Sequence, residues 1–205
     1  MSFDLPIIAH IDLPGNYRLI RIKSAELCKT IQAGDVLHIP SLTHSLPYLR
    51  CSRQETKIDF LFYLTDENRS IMTDSMLHAA SLQPTVFNLT KTDVNSFRIL
   101  TCNIDTLGVG LSIALDQISR THINLFLFDL DSASPFKLQP SKFYLPYMPD
   151  GVIANMEIIE QNNAIARFCS ATNLPGCYEG TTTGLIPLLT EKLANKVVDV
   201  VTFIH

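Results

Sequence analysis

Apolar residues recur at every second position over residues 57–64, where Ile58, Phe60, Phe62 and Leu64 fall on one face. That is the period of a β-strand, whose successive side chains point to opposite faces. Residues 96–104 repeat the pattern, with Phe97 and Ile99 opposed to Leu100, Cys102 and Ile104. Residues 123–130 are apolar on both faces and include Phe126 and Phe128, which predicts a central strand buried on both sides. Weaker patterns predict strands over 17–23, 85–90 and 152–159. The apolar tail from Val197 to Ile204 predicts one more, buried in this subunit or against a neighbour.

Helical spacing is rarer. Ser24 can cap a helix over 25–33 that ends at Gly34. Residues 71–82 place Met72, Met76, Ala79 and Ala80 on one stripe after the acidic Asp66 and Glu67, and stop before Pro84. A third helix spans 185–196 and should begin near Ile186, because Pro187 is tolerated only in a first turn. Residues 108–119 fit strand and helix equally. Proline-bearing stretches at 39–47 and 133–149 read as excursions over the surface. The expected fold is β-rich α+β: a single domain over residues 1–205 of mostly antiparallel sheet, or a β-sandwich, with about three short helices.

Composition adds one constraint. Charged residues make up 18% of the 205 and hydrophobic ones 46%, against about 25% charged in ordinary soluble domains. Surfaces are normally clothed in charge and interface cores are depleted of it, so the deficit points to surface covered by other subunits. No apolar run reaches the roughly 18 residues a membrane helix needs. The net charge is −4, and the basic clusters (Arg18, Arg21 and Lys23; Arg50 and Arg53) are small, which argues against direct nucleic-acid binding. The five cysteines, Cys28, Cys51, Cys102, Cys169 and Cys177, form no C-x-x-C pair. The start of the chain lacks the basic and apolar stretches of a secretory leader. Reduced thiols in a cytoplasmic protein, possible also within a viral particle, are the expectation.

Four segments carry candidate chemistry. The strand ending Phe128-Asp129-Leu130-Asp131-Ser132 resembles the first motif of haloacid-dehalogenase-type phosphotransferases. The resemblance implies Asp129 as nucleophile, Asp131 as general acid/base, and magnesium between them and a phosphate. It covers only this strand end. The family carries the motif near the start of its domain, whereas Asp131 lies past the middle of this chain, and the C-terminal third has no later acidic pair. The alternative is a strand leaving the core, with both carboxylates making turn hydrogen bonds. Gly180-Thr181-Thr182-Thr183-Gly184 precedes a predicted helix and could cradle an anion or nucleotide, or simply cap that helix. His38, His44 and Cys51 could ligate zinc, but their spacing is loose and a fourth ligand is missing. Phe143, Tyr144 and Tyr147, interleaved with prolines, could dock a partner or pack on their own core.

Together these observations favour a non-enzymatic structural or interaction subunit, such as a coat or virion component or a part of a complex. Its partners would be copies of itself or other proteins, met through Phe143, Tyr144, Tyr147, Val201, Phe203 and Ile204, with no cofactor or metal and no membrane. The second reading is a small magnesium-dependent phosphohydrolase or phosphotransferase using Asp129 and Asp131. The third is an anion- or nucleotide-binding module at Thr181, Thr182, Thr183 and Gly184.

Overall fold

Strand periodicity in the first half of the chain resolves into a closed barrel. The structure is a computed structural model and describes residues 2–42, 45–69, 75–84 and 96–203. The barrel strands are β1 (Phe3–Leu13), β2 (Tyr17–Lys23), β3 (Val36–His38), β4 (Leu46–Ser52), β5 (Lys57–Tyr63) and β6 (Met76–Gln83), joined in the order β1-β2-β5-β4-β3-β6. Every neighbouring pair is antiparallel. Gly15 and Asn16 both have positive φ at the β1–β2 turn, as a tight hairpin demands. Ile58, Phe60 and Phe62 of β5 point into the barrel and meet Ile20, Ile22 and Leu37. The alternate residues Asp59 and Leu61 point outward, Leu61 into the second half of the molecule.

The second half is a five-stranded parallel sheet. Its strands are β7 (Ser96–Cys102), β8 (Leu125–Leu130), β11 (Ala166–Ser170), β12 (Tyr178–Glu179) and β13 (Val197–Phe203), in the order β12-β11-β8-β7-β13. A small antiparallel ribbon, β9 (Leu138–Pro140) with β10 (Ala154–Met156), lies beside it. The helices are α1 (Leu27–Thr30), α2 (Asp66–Arg69), α3 (Leu107–Leu115), α4 (Glu157–Gln161) and α5 (Thr182–Lys192), with a 3-10 turn at Ser119–His122. β8 is buried on both faces, as its sequence predicts. Leu125 and Leu127 pack with Leu185 and Leu189 of α5. Phe126, Phe128 and Leu130 pack with α3 and with the barrel residues Tyr17, Leu49 and Leu61.

Several expectations need correction. The fold is β-rich but not a sandwich, and its second sheet is parallel rather than antiparallel. Parallel strands need long crossovers, and the one from β8 to β11 runs mostly through irregular chain, so no regular strand–helix alternation marked it. The helix expected over 71–82 is instead β6 from Met76 onward, residues 71–74 lying outside the described set. Closing the barrel between β1 and β3 overrides the helical spacing, and Ala79 takes a positive φ to do so. The 25–33 helix shortens to one turn whose N-cap position is Glu26, with no side-chain cap, while Ser24 Oγ accepts from the Leu27 N–H at 3.2 Å just ahead of it. α5 starts earlier than expected, leaving Pro187 inside it. The ambiguous 108–119 segment forms α3. The strand expected over 152–159 divides into β10 and α4, and that over 85–90 lies outside the described residues.

The tail and the 133–149 excursion both pack within the chain. β13 lies parallel to β7, with Val201 opposite Leu100, and Asp199 accepts from Arg98 Nε at 2.7 Å. Phe203 is buried and Val201 half-buried, while Ile204 lies outside the described residues. Arg167 on β11 is 2% exposed and donates to the carbonyls of Phe143 (2.6 Å), Val152 (3.1 Å) and Ala166 (2.7 Å). That pins the excursion, with Tyr147 edge-on to Phe97 and Phe143 half-buried, while Tyr144 stays 86% exposed. Among the described residues no helix is long and apolar enough to cross a membrane.

α3 holds the two halves together at very short range. A Cβ on Gly108 would strike the Leu61 carbonyl oxygen of β5 and Pro47, and one on Gly110 would strike Cys102 Sγ and the Phe128 ring. Helix propensity alone would make Gly→Ala stabilising here by about 1 kcal/mol. Packing reverses the sign: Gly108→Ala is expected to destabilise by about 1–3 kcal/mol, read as a lower urea midpoint at unchanged m-value.

Candidate functional site

Two concavities flank the seam between barrel and sheet, and they differ in chemistry. The first lies outside the carboxyl ends of the parallel strands, where open α/β sheets generally receive ligands. It is a crevice of about 220 Å³ lined by Asn103, Asp105, Asp129, Asp131, Thr172 and Thr181, among others. Tyr63 of the barrel donates to Asp131 Oδ2 at 3.1 Å, and Tyr17 donates to the Ile104 carbonyl at 3.3 Å, so the barrel closes over this edge. The crevice therefore gathers two sequence candidates that are distant in the chain, the Asp129/Asp131 pair and the threonine loop.

Their groups satisfy one another. Asp129 Oδ1 accepts from the Thr182 N–H at 2.7 Å and Oδ2 accepts from the Thr182 hydroxyl at 3.0 Å. Thr181 is the N-cap, its Oγ1 accepting from the Gly184 N–H at 3.3 Å. Asp129 thus occupies the helix start where an anion would have to sit, and that contact occupies both oxygens of the carboxyl the phosphotransferase resemblance made the nucleophile. Burial pushes the Asp129 carboxyl above its ordinary value, the Thr182 hydrogen bonds opposing the shift. Asp105 and Asp131 add further acidic groups, and no Lys, Arg or His lines the crevice among the described residues. No group of three or more metal-ligating side chains forms among the described residues either. His38 and Cys51 lie on β3 and β4, and His44 lies outside the described residues.

The second concavity is a groove of about 460 Å³ between β4 and the far end of α3. Tyr48, Arg50, Cys51 and Arg53 form one wall, Leu115, Ile118 and Ser119 the other, and Gln32 and Ala33 close an end. Ser112 also lines the groove, its Oγ accepting from the Gly34 N–H at 2.8 Å and donating to the Val109 carbonyl at 2.7 Å. Burial pushes the Tyr48 phenol up to about 12, so it stays protonated and can donate. Asp116 is the only acid lining the groove among the described residues, and its Oδ2 is engaged by the Ser119 N–H at 2.7 Å. Arg53 is exposed and makes no hydrogen bond or ion pair among the described residues. In the sequence Arg50 and Arg53 form only a small basic cluster, and nothing there marks Tyr48 or the groove. Nothing in the sequence places residues 31–33, 48–53 and 112–119 together.

Comparison with known proteins gives the fold a context. No family model matches the chain, and no curated protein matches its sequence. Solved structures do match in shape. A ferredoxin NADP+ reductase from Neisseria gonorrhoeae with bound FAD and NADP superposes with a TM-score of 0.60 at 9% identity, over 98% of this chain and 84% of that one. The flavohem-like FAD/NAD binding domain of nitric oxide dioxygenase from Vibrio cholerae gives 0.53 at 9% identity, over 98% of each chain. An NADH-dependent reduced ferredoxin-NADP oxidoreductase gives 0.56 at 11% identity, covering 91% of this chain, which spans 63% of that protein's length. The chain shares the fold of these structures.

That finding overturns the expectation of a non-enzymatic structural or interaction subunit, whether a coat or virion component or a part of a complex, because the structures that share the fold include a ferredoxin NADP+ reductase and an NADH-dependent oxidoreductase. The expectation of no cofactor falls with it, since the Neisseria reductase holds FAD and NADP.

Beside the groove, Asp59 on the outer face of β5 accepts from Arg21 Nε at 2.6 Å, Arg21 Nη2 at 2.9 Å and Arg50 Nε at 2.9 Å. Burial pushes the Asp59 carboxyl up, but the two guanidiniums outweigh it and hold the group below its ordinary 3.8. A depressed folded-state pKa contributes stability that is complete above the unfolded value and is lost as pH falls through the folded one. Asp59→Asn is therefore expected to cost about 1–3 kcal/mol near neutral pH. The gap from wild type should close as the pH drops below that value, checked by urea unfolding across the acid range.

Proposed function

We propose that this chain is a flavin-binding electron-transfer module that holds FAD or FMN in the β4–α3 groove. The single observation that carries the reading is the groove's make-up. It sets a tyrosine and apolar side chains beside two arginines, which suits a planar aromatic ring bearing phosphate. Its volume is in the range of small-molecule sites. Tyr48, Leu115 and Ile118 would contact the ring system, and Arg50 and Arg53 the phosphates. The shared fold with reductases, one of which holds FAD, supports the same reading. A bound flavin would supply reversible one- and two-electron chemistry. The protein's part would be to orient the ring, shield one face from water and neutralise the phosphates.

The residues do not fit a nicotinamide dinucleotide at the parallel-sheet edge. Pyrophosphate-binding sheets of this kind carry glycines in the first strand-to-helix turn and leave the helix N-terminus open to the phosphates. Here that turn reads Asn103-Ile104-Asp105-Thr106, closed on itself because Asn103 Oδ1 accepts from Thr106 N at 2.9 Å and Thr106 Oγ1 accepts from Asn103 N at 3.0 Å. Gly108 and Gly110 face the barrel and the sheet rather than the crevice. The crevice carboxylates would repel phosphate besides. Electrons would then reach the flavin from another donor, such as a partner protein or a domain outside this chain.

The test is equilibrium titration of the purified chain with FAD, FMN and riboflavin, followed by flavin fluorescence. Saturable FAD binding is expected. Arg53→Ala should weaken FAD about tenfold, or about 1.4 kcal/mol, while leaving riboflavin unchanged. Loss of affinity for both ligands would place the ring rather than the phosphate at Arg53, and no binding of any flavin would refute the reading. NADH and NADPH should show no saturable binding up to millimolar concentration, followed by nicotinamide fluorescence.

A further inference from the structure

We infer that Cys28 and Cys51 form a redox-active dithiol that low-molecular-weight disulfides convert reversibly to an intramolecular disulfide. The inference rests on geometry separate from the flavin reading. Cys28 sits on α1, 3% exposed, and Cys51 sits on β4, half-buried, with its Sγ 3.0 Å from Cys28 Sγ. That separation is only about 1 Å longer than a disulfide bond. A shift of that size is within reach of side-chain rotation, since α1 is a single turn tied to the chain by short loops. The other thiols lack this arrangement, and Cys102 and Cys169 are fully buried.

Access differs between the two sulfurs, and this sets the order of events. Cys51 lines the β4–α3 groove and also a neighbouring recess of about 300 Å³ shared with Arg21, Arg50 and Asp59. A small disulfide such as glutathione disulfide can approach it there, between the guanidiniums of Arg50 and Arg53. Cys51 loses its proton and attacks one sulfur of the oxidant, so a protein–glutathione bond forms and the glutathione disulfide bond breaks. The departing glutathione thiolate takes up a proton. Cys28 then loses its proton and attacks Cys51 Sγ, expelling the second glutathione thiolate, which is protonated in turn. Two protein thiols are oxidised by two electrons, and one small disulfide is reduced to two thiols. Excess small thiol drives the same steps backward.

Burial pushes the Cys51 thiol up to about 12, and its contact with Cys28 adds to the shift, while Arg53 opposes it. The reactive thiolate is thus scarce at neutral pH, and the rate should climb about tenfold per pH unit through the mildly alkaline range. The disulfide would join α1 to β4 and close the loop that carries β3, fixing one wall of the groove. Groove shape and redox state are coupled in this way.

Fully reduced protein, free of flavin, is incubated with glutathione disulfide at mildly alkaline pH, desalted, denatured and its free thiols counted. The five thiols of the chain should fall by two, and a non-reducing peptide map should join the Cys28 peptide to the Cys51 peptide. Cys28→Ser should instead retain one glutathione per chain on Cys51, since no second sulfur resolves it. Cys51→Ser should keep all its thiols. Five persisting thiols, a map joining Cys169 to Cys177, or a Cys28→Ser protein that takes up no glutathione would each overturn the inference. The wild-type map needs no variant to fold and no flavin to bind, so the outcome is independent of the flavin titration.

Discussion

Helix α3 must touch a barrel strand on one side and the parallel sheet on the other, and both contacts are closer than a side chain permits. Gly108 meets the backbone of β5, and Gly110 meets the side chains of β7 and β8. Once those two positions are bare, Leu107, Val109, Leu111 and Ile113 can fill the space around them and join Tyr17, Leu49 and Leu61 in one buried cluster. The position of α3 in turn sets the far wall of the β4–α3 groove, because Ser112, Leu115 and the 3-10 turn follow directly from it. Packing at two glycines therefore helps to set where the groove lies, beginning at Ser112, two residues beyond Gly110.

Charge distinguishes the two concavities. The sheet-edge crevice carries Asp105, Asp129 and Asp131 and no cation among the described residues, and its helix start is already held by Asp129. The groove carries Arg50 and Arg53 beside an acid that is engaged locally. The Neisseria reductase of the same fold holds FAD and NADP, whereas here one concavity is acidic and the other carries two arginines, one of which, Arg50, also pairs with Asp59. The same groove wall bears Cys51, with its Sγ 3.0 Å from Cys28 Sγ, so an occupant of the groove would share it with the proposed dithiol.

Much of the local structure was legible in the sequence. Period-two spacing marked β5 and β7, and the doubly apolar stretch marked β8 as central. Topology was not legible, because a parallel crossover through irregular chain leaves no periodic trace. β6 was misread because Met76, Ala79 and Ala80 fit a helical stripe as well as a strand, and only barrel closure decides between them. Of the candidate chemistry, Asp129 and the threonine loop were singled out as separate motifs, and the structure shows them bonded to each other. The groove was invisible for a simple reason. Its walls come from three stretches distant in the chain, and the side chains that matter, Tyr48, Arg50 and Arg53, form no spacing motif.

Hydrogen–deuterium exchange with and without FAD reads directly where a flavin binds. Slowed exchange confined to residues 31–34, 48–53 and 112–119 is the predicted result. Protection instead at residues 103–106, 129–131 and 180–184, with the groove unchanged, would contradict it and place the ligand at the sheet edge.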